Sequence, residues 1–150
     1  MTELSEEAGN ALRSALSAEH AAVWVYGLAS AFVSEPRVRS AIGDAMEQHR
    51  RLRDTAERVI REAQQTPPAA QPAYDIGEPV GDQKAAIGLL VKAESDCEIG
   101  WRSVLENTSA EEAALRGTAL DGLTTAAVRA TRWRLTIGTQ PAAKPFPGQP

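Results

Sequence analysis

Four long stretches of this chain repeat apolar residues at helical spacing, and proline, glycine or capping residues separate them. The pattern predicts four helices, over about residues 5–34, 37–65, 82–106 and 110–137. Ser109 and Glu112 form the Ser-x-x-Glu of a capping box where the fourth stretch begins. Alternating runs of β-branched residues are absent, so the sequence predicts an all-α protein.

The lengths of the three connections restrict how these helices pack. The first and third connections are only a few residues long, and such short breaks produce antiparallel hairpins. The middle connection, residues 66–81, contains four prolines and is long for a compact domain, so it suits a crossover along a bundle. We therefore expect two helical hairpins joined by a long crossover, in one domain over residues 1–137 that a proline-rich tail, 138–150, follows. An up-down-up-down bundle with a long loop is the alternative.

Composition bounds the classes of function. Hydrophobic residues make up 43% of the chain and charged residues 24%, as in an ordinary soluble domain. A net charge of −4 and the lack of basic runs argue against nucleic-acid binding. No stretch approaches the roughly 18 apolar residues of a membrane span, and the acidic amino end lacks the apolar core of a signal peptide. With a single cysteine, Cys97, the sequence predicts a cytoplasmic protein without an intrachain disulfide.

Three ionisable residues interrupt the apolar stripes, each near the middle of its predicted helix: Glu19, His49 and Glu94. Steps of three and four residues place them in line with core-facing neighbours. Because antiparallel neighbours bring their mid-helix positions together, we expect the three side chains to meet inside the bundle. An unpaired buried charge costs much free energy, so such a cluster usually has a metal or an arginine as its partner.

A short internal repeat links the first and third helices. Glu19 follows an alanine and precedes Tyr26 by seven residues, and Glu94 follows an alanine and precedes Trp101 by seven residues. This repeat indicates that the two helices are related copies, as in a bundle made from a repeated hairpin.

The order Glu19, His49, long crossover, Glu94 resembles the ferritin-like di-iron carboxylate proteins, whose first and third helices each supply a Glu and whose other two helices each supply Glu-x-x-His. More specifically, the segments at residues 18–23 and 49–53 and around Trp101 resemble an actinobacterial ferritin-like family of unknown function. That resemblance extends from about residue 11 to residue 147. It implies a ferritin-like four-helix bundle and supplies no reaction.

The di-iron pattern is incomplete in this sequence. Met46 stands three residues before His49, where a bridging Glu is required, and the fourth helix contains no histidine. The predicted core positions of the fourth helix are apolar: Leu120, Leu123, Ala127 and Ala130. A pair of irons needs about six protein ligands, so we expect a degenerate di-iron site.

Two interpretations of the cluster remain. In one, a single Fe, Mn or Zn ion binds to Glu19, His49 and Glu94, with His20 as a further candidate ligand. In the other, which we favour, no metal binds, and His49 together with arginines at the edge of the stripe neutralises the carboxylates. Candidate arginines include Arg50, Arg53, Arg132 and Arg134, and the fourth helix carries Arg129, Arg132 and Arg134 near where the metal enzymes would carry ligands.

The favoured function is accordingly a non-catalytic structural or interaction protein without a cofactor, and a metal-binding or oxidoreductase protein is the alternative. We expect a homodimer, with Trp24 as an interface candidate because it lies off the first apolar stripe. Tyr74 and Ile76 are expected to hold the crossover, and Phe146 is the residue that would pin the tail to the bundle.

Overall fold

The computed structural model describes residues 3–150 and consists of four helices. They are α1 (Glu6–Ser30), α2 (Pro36–Glu62), α3 (Gln83–Glu106) and α4 (Ala113–Ile137), and a 3-10 turn, Ala110–Glu112, precedes α4. No strand occurs within residues 3–150, so the protein is all-α as predicted. Met1 and Thr2 of the acidic amino end lie outside the described residues.

Proline and local backbone geometry set the ends of α1 and α2. Pro36 is the first residue of α2, where its missing N–H leaves no donor unsatisfied. Glu35 before it is extended, with ψ of 124°, and α1 ends at Ser30, before the predicted residue 34. Helix α2 stops at Glu62 because Gln64 adopts a φ of 60°, which cannot continue a right-handed helix.

The helices form two hairpins, α1–α2 and α3–α4, that residues 63–82 join as a crossover. Helix α1 packs against both α2 and α3, α3 packs also against α4, and α2 barely touches α4. Helices α1 and α3 approach each other closely at Gly100, where an added Cβ would come within 2.9 Å of the Cα of Ala15. The centre of the bundle is therefore formed chiefly by α1 and α3, with α2 and α4 on their outer sides.

The buried face of α4 differs from the prediction. Leu120, predicted in the core, is 57% exposed, and Leu123 and Ala127 are only half-buried. The buried residues of α4 are Leu115, Ala119, Gly122, Ala126, Arg129, Ala130, Trp133 and Arg134. The indole of Trp101 explains this, because it lies 2.8 Å from where a Cβ of Gly122 would be. Only a face of small residues can pack so close to a tryptophan.

The structure also places two other side chains that the sequence analysis singled out, Trp24 and Phe146. Trp24, the predicted interface residue, is half-buried beside Tyr74 of the crossover, with ring centroids 5.8 Å apart. Phe146 is exposed and does not pin the tail. Gly148 does so instead, since a Cβ on it would come 2.5 Å from the carbonyl oxygen of Glu98, and its φ of 78° also suits glycine.

Candidate functional site

The three ionisable residues of the apolar stripes meet in the middle of the bundle. Glu19 on α1, His49 on α2 and Glu94 on α3 are all fully buried. The ring of His49 bridges the two carboxylates: its Nδ1 lies 2.5 Å from Oε2 of Glu19, and its Nε2 lies 2.8 Å from Oε1 of Glu94. We call these three residues, together with the groups that donate hydrogen bonds to them, the mid-bundle cluster.

Two aromatic side chains complete the cluster, and each donates a hydrogen bond to the glutamate on the other's helix. Tyr26 follows Glu19 by seven residues, and its hydroxyl donates to Oε1 of Glu94 at 2.6 Å. Trp101 follows Glu94 by seven residues, and its indole N–H donates to Oε1 of Glu19 at 2.7 Å. Such an exchange between position i of one helix and position i+7 of the other requires α1 and α3 to run antiparallel. The two copies of the internal sequence repeat therefore bond to each other, and each copy supplies one carboxylate acceptor and one aromatic donor.

Helix α4 contributes a cation to the cluster. The Nε–H of Arg129 donates to Oε1 of Glu94 at 2.8 Å, and its NH1 donates to Oε1 of Gln48 at 2.6 Å. The Arg129 side chain is buried. One turn further along, the indole N–H of Trp133 donates to the hydroxyl of Tyr26 at 2.7 Å. Helix α4 thus supports the carboxylate of Glu94 both directly and through Tyr26.

None of the four candidate arginines named from the sequence for this role neutralises the carboxylates. Arg50 pairs with Glu47 and Arg53 with Asp54 at the surface, and Arg132 is exposed. Arg134 points away from the cluster, because its NH1 donates to the carbonyl of Ala142 in the tail. The sequence analysis noted Arg129 on the fourth helix but assigned the neutralising role to other arginines, because it selected the leucine-bearing face of α4 as the core.

The pKa values show how the cluster distributes charge. Burial alone would lower the pKa of His49, but hydrogen bonds and charges from Glu19 and Glu94 outweigh it and raise this pKa from 6.5 to about 9. Burial would raise the pKa of Glu94, yet His49 and Arg129 hold it below its usual value. Two carboxylates therefore face one imidazolium and one guanidinium, and the formal charge of the cluster is zero.

Two neutral groups border these charges. The pKa of Tyr26 is raised well above its usual value, chiefly by burial and next by the negative charge of Glu94, so its hydroxyl remains a donor. Burial, together with the charges of Glu19 and Glu94, likewise raises the pKa of the Cys97 thiol. The thiol is therefore protonated at neutral pH, in contrast to the depressed pKa of reactive cysteines.

Arg129 connects the buried cluster to a surface groove. This groove has a volume of about 440 Å³ and lies between α2 and α4, the two helices that barely touch. Gln48, Arg129 and Trp133 are among its lining residues. Because Arg129 also donates to the fully buried Glu94, its guanidinium extends from the groove to the cluster.

A family assignment follows from comparison of the sequence with known proteins. The family described as "Domain of unknown function (DUF4439)" matches residues 11–150. The chain belongs to this family. A search of the curated proteins finds no match.

Two solved structures resemble the bundle. A conserved hypothetical protein, rv2844, from Mycobacterium tuberculosis is 38% identical, with a TM-score of 0.80 over 88% of this chain and 98% of that one. A dodecameric thioferritin, the bacterioferritin-related protein from Bacteroides fragilis, is 17% identical, with a TM-score of 0.75 over 91% of this chain and 89% of that one. The second likeness establishes a ferritin-like fold for this DUF4439 protein. Within the described residues, none of its helices is long and apolar enough to cross a membrane.

The ferritin-like fold implies a pair of metal ions, and the residues of the cluster do not fit one. Such a centre takes carboxylates and histidines from all four helices, whereas α4 here contributes the cationic Arg129. Both ring nitrogens of His49 are occupied by carboxylate oxygens. Oε1 of Glu94 already accepts hydrogen bonds from His49, Tyr26 and Arg129.

Two features of the cluster are compatible with a single metal ion. The sulfur of Cys97, a carboxylate oxygen of Glu19 and a ring nitrogen of His49 lie within 4.8 Å of one another. Oε2 of Glu94 is buried and has no hydrogen-bond partner within residues 3–150.

His20, the further candidate ligand, faces the crossover. Its Nε2 lies 3.1 Å from the carbonyl oxygen of Pro68 and 3.6 Å from Oε1 of Glu57. It is a neighbour of Glu19 in sequence only, since a step of one residue turns a helix by about 100°. His20 therefore ties α1 to the crossover.

Proposed function

We propose that this DUF4439 protein is a non-catalytic structural or interaction protein whose mid-bundle cluster is a metal-free network of ion pairs. The observation that carries the proposal is the contact between Arg129 and Glu94, with Nε 2.8 Å from Oε1. A ferritin-like di-iron protein would bring anionic or neutral ligands to the site from its fourth helix. Here the fourth helix brings a permanent positive charge.

The charge balance of the cluster supports this proposal. Glu19 and Glu94 are matched by His49 and Arg129, so a divalent ion would leave an excess of two positive charges in the interior. Such an excess is costly in a medium of low dielectric constant. To reduce this excess of positive charge, His49 would have to release its proton. The binding of the metal would then have to compensate for the two hydrogen bonds that His49 makes to carboxylates.

The network has a structural role that needs no metal. Its hydrogen bonds join all four helices, because Glu19 and Tyr26 lie on α1, His49 on α2, Glu94 on α3 and Arg129 on α4. Buried polar groups of this kind oppose other helix registers, since each shift leaves charges without partners. We propose that the cluster fixes the pairing of the helices and that the surface of the bundle carries the function.

A single Fe, Mn or Zn ion bound by Glu19, His49 and Glu94 is the second candidate. The unpartnered Oε2 of Glu94 favours it, as does Cys97, whose sulfur could replace Glu94 as a ligand. This candidate requires both a neutral His49 and movement of Arg129. A homodimer in a reducing, cytoplasmic location completes the proposal, and the single free cysteine supports that location.

Elemental analysis tests the proposal against the second candidate. Untagged protein, purified without chelator, is incubated with Fe(II), Mn(II) or Zn(II), desalted and analysed for metal. We expect less than about a tenth of an ion per chain, since a specific site would fill. His49→Ala and His20→Ala serve as a matched pair of variants. About one ion per wild-type chain, lost in His49→Ala and kept in His20→Ala with unchanged helical circular dichroism, would overturn the metal-free proposal.

A further inference from the structure

The outer face of α4 exposes large apolar side chains in one line. Leu120 is 57% exposed, Val128 43% and Leu135 60%, and these are three of the five large apolar side chains exposed within residues 3–150. They are spaced by eight and seven residues, which places them on one side of a helix. The line extends over about 22 Å at 1.5 Å per residue.

The residues between these three are small and uncharged. Thr124, Ala127 and Thr131 lie on the same side of the helix, and with Leu123, Val128, Pro147 of the tail and the charged Arg132 at the edge they line a shallow groove. Contiguous apolar patches with a polar rim are characteristic of interaction surfaces. The small side chains at its centre would allow another helix to approach closely.

Two opposite charges flank this face. Asp121 and Arg132 lie about 100° and 120° around the helix from Leu120, so both stand on the same flank. Both residues are exposed. Neither has an ion-pair partner within residues 3–150, which is also true of other exposed charged residues such as Arg37 and Asp44. On the side towards α2, Asp121 borders a groove that Arg51 also lines, and Arg132 borders one that Asp44 also lines. Measured along the helix axis, Asp121 and Arg132 lie on opposite sides of the middle of the apolar line, at distances from it that agree to within about one helical turn.

Resting on the proposed interaction function, we propose that the outer face of α4 packs against the same face of a second copy of this chain, with the two α4 helices antiparallel. The two-fold axis passes between Ala127 and Val128. Leu120 then lies opposite Leu135 of the partner subunit, and Thr124 lies opposite Thr131 of the partner subunit. Each apolar residue at one end of the line thus meets an apolar residue from the other end.

The flanking charges favour a second copy over an unrelated partner. A two-fold axis across antiparallel helices keeps each flank of one helix beside the same flank of the other. Asp121 therefore lies beside Arg132 of the partner subunit, offset by about 3 Å along the helix axis, and the pair occurs twice by symmetry. A parallel arrangement would lose both pairs. One helix face thus supplies apolar contact and charge complementarity to its own copy.

Solution mass tests whether this face forms the dimer. We expect the 150-residue chain to be dimeric by light scattering coupled to gel filtration, and Val128→Glu to be monomeric at the same concentrations. Ile99→Glu is the matched control, because Ile99 is 46% exposed on α3 and lies outside this face. We expect the Ile99→Glu variant to remain dimeric. A monomeric wild type, a dimeric Val128→Glu, or equal dissociation of both variants would overturn the proposal, whichever other partner the protein has.

Charge reversal tests the antiparallel register. Asp121→Arg places two like-charged pairs at the interface, and we expect the dissociation constant to rise about tenfold. The double variant Asp121→Arg, Arg132→Asp should restore the wild-type value, because both pairs are then re-formed with exchanged signs. Failure of the double variant to recover would refute this register. A disulfide-linked dimer of Val128→Cys, with none from Ile99→Cys, supplies an independent check, since only residues near the two-fold axis come within bonding distance.

The dimer and the metal-free cluster can fail separately. Metal analysis of the same samples reports on the mid-bundle cluster, whereas the mass reports on α4. A metal-free monomer would refute the dimer alone, and a dimer with one ion per chain would refute the metal-free cluster alone.

Discussion

The stability of the fold is predicted to fall as the pH rises from about 6.5 to about 9, because of the proton on His49. In the folded protein the two carboxylates beside His49 raise its pKa from 6.5 to about 9. Below pH 6.5 both the folded and the unfolded chain hold this proton, and the stabilisation is fully present. Between these two values only the folded chain holds the proton, so the stabilisation is lost as the pH passes through the folded pKa.

The size of this effect follows from the same pKa values. A tenfold change in proton affinity is worth about 1.4 kcal/mol. A change from 6.5 to about 9 therefore corresponds to about 3 kcal/mol, which is lost at a rate of up to about 1.4 kcal/mol per pH unit. That is a sizeable part of the 5–15 kcal/mol by which domains are usually stable, on the order of a third. The thiol of Cys97 adds a loss of the same sign only near and above pH 9, because burial raises its pKa.

Urea denaturation, followed by circular dichroism at several pH values between 6 and 8.5, measures the effect. The wild type and His20→Gln should both lose stability across this range. In His49→Gln the part of this loss of stability with pH that comes from His49 should be absent, because glutamine carries no titrating proton. A flat wild-type profile would refute the bridged imidazolium, and so would equal slopes in the wild type and His49→Gln.

Three further predictions concern the packing of the bundle, at Gly122, Trp101 and Cys97. Gly122→Ala should destabilise the fold by about 1–3 kcal/mol, because its Cβ would meet the indole of Trp101; Gly117→Ala, which has open space on the same helix, should instead stabilise it by about 0.5–1 kcal/mol in the same urea titration. Trp101→Phe should cost about 1–3 kcal/mol, since Glu19 loses a buried donor, and a shift in thermal midpoint within error would contradict this. Cys97 should resist a thiol reagent until denaturant is added, because it is fully buried with a raised pKa; rapid labelling of the folded protein would contradict its burial.

The sequence predicted the all-α bundle and the residues at its centre because both depend on periodicity. Helical spacing located the four helices, and the short and long connections separated two hairpins from a crossover. Glu19, His49 and Glu94 were recognisable because each replaces an apolar residue in a regular stripe. No tertiary information was needed to place these residues at mid-helix.

The contribution of α4 depends on tertiary packing and was not predictable in the same way. Leu120 gives a strong hydrophobic signal, yet the side of α4 that packs is the one whose glycine accommodates Trp101. Arg129 lies on that side, three residues after Ala126 and four before Trp133. A stripe of mostly small residues that also contains two arginines, Arg129 and Arg134, was the available signal, and the leucines outweighed it. The reciprocal bonds of Tyr26 and Trp101 likewise became evident only once α1 and α3 were placed antiparallel.

The protonation state of His49 tests the central claim most directly. A correlation spectrum of the histidine side chains, recorded on ¹⁵N-labelled protein at pH 7, distinguishes protonated from bare ring nitrogens. If His49 is an imidazolium between Glu19 and Glu94, both of its ring nitrogens carry a proton, and His49→Gln identifies the signal by its loss. A neutral His49 with one bare nitrogen would contradict the charge-balanced, metal-free cluster, because that nitrogen would have a lone pair free for a metal ion.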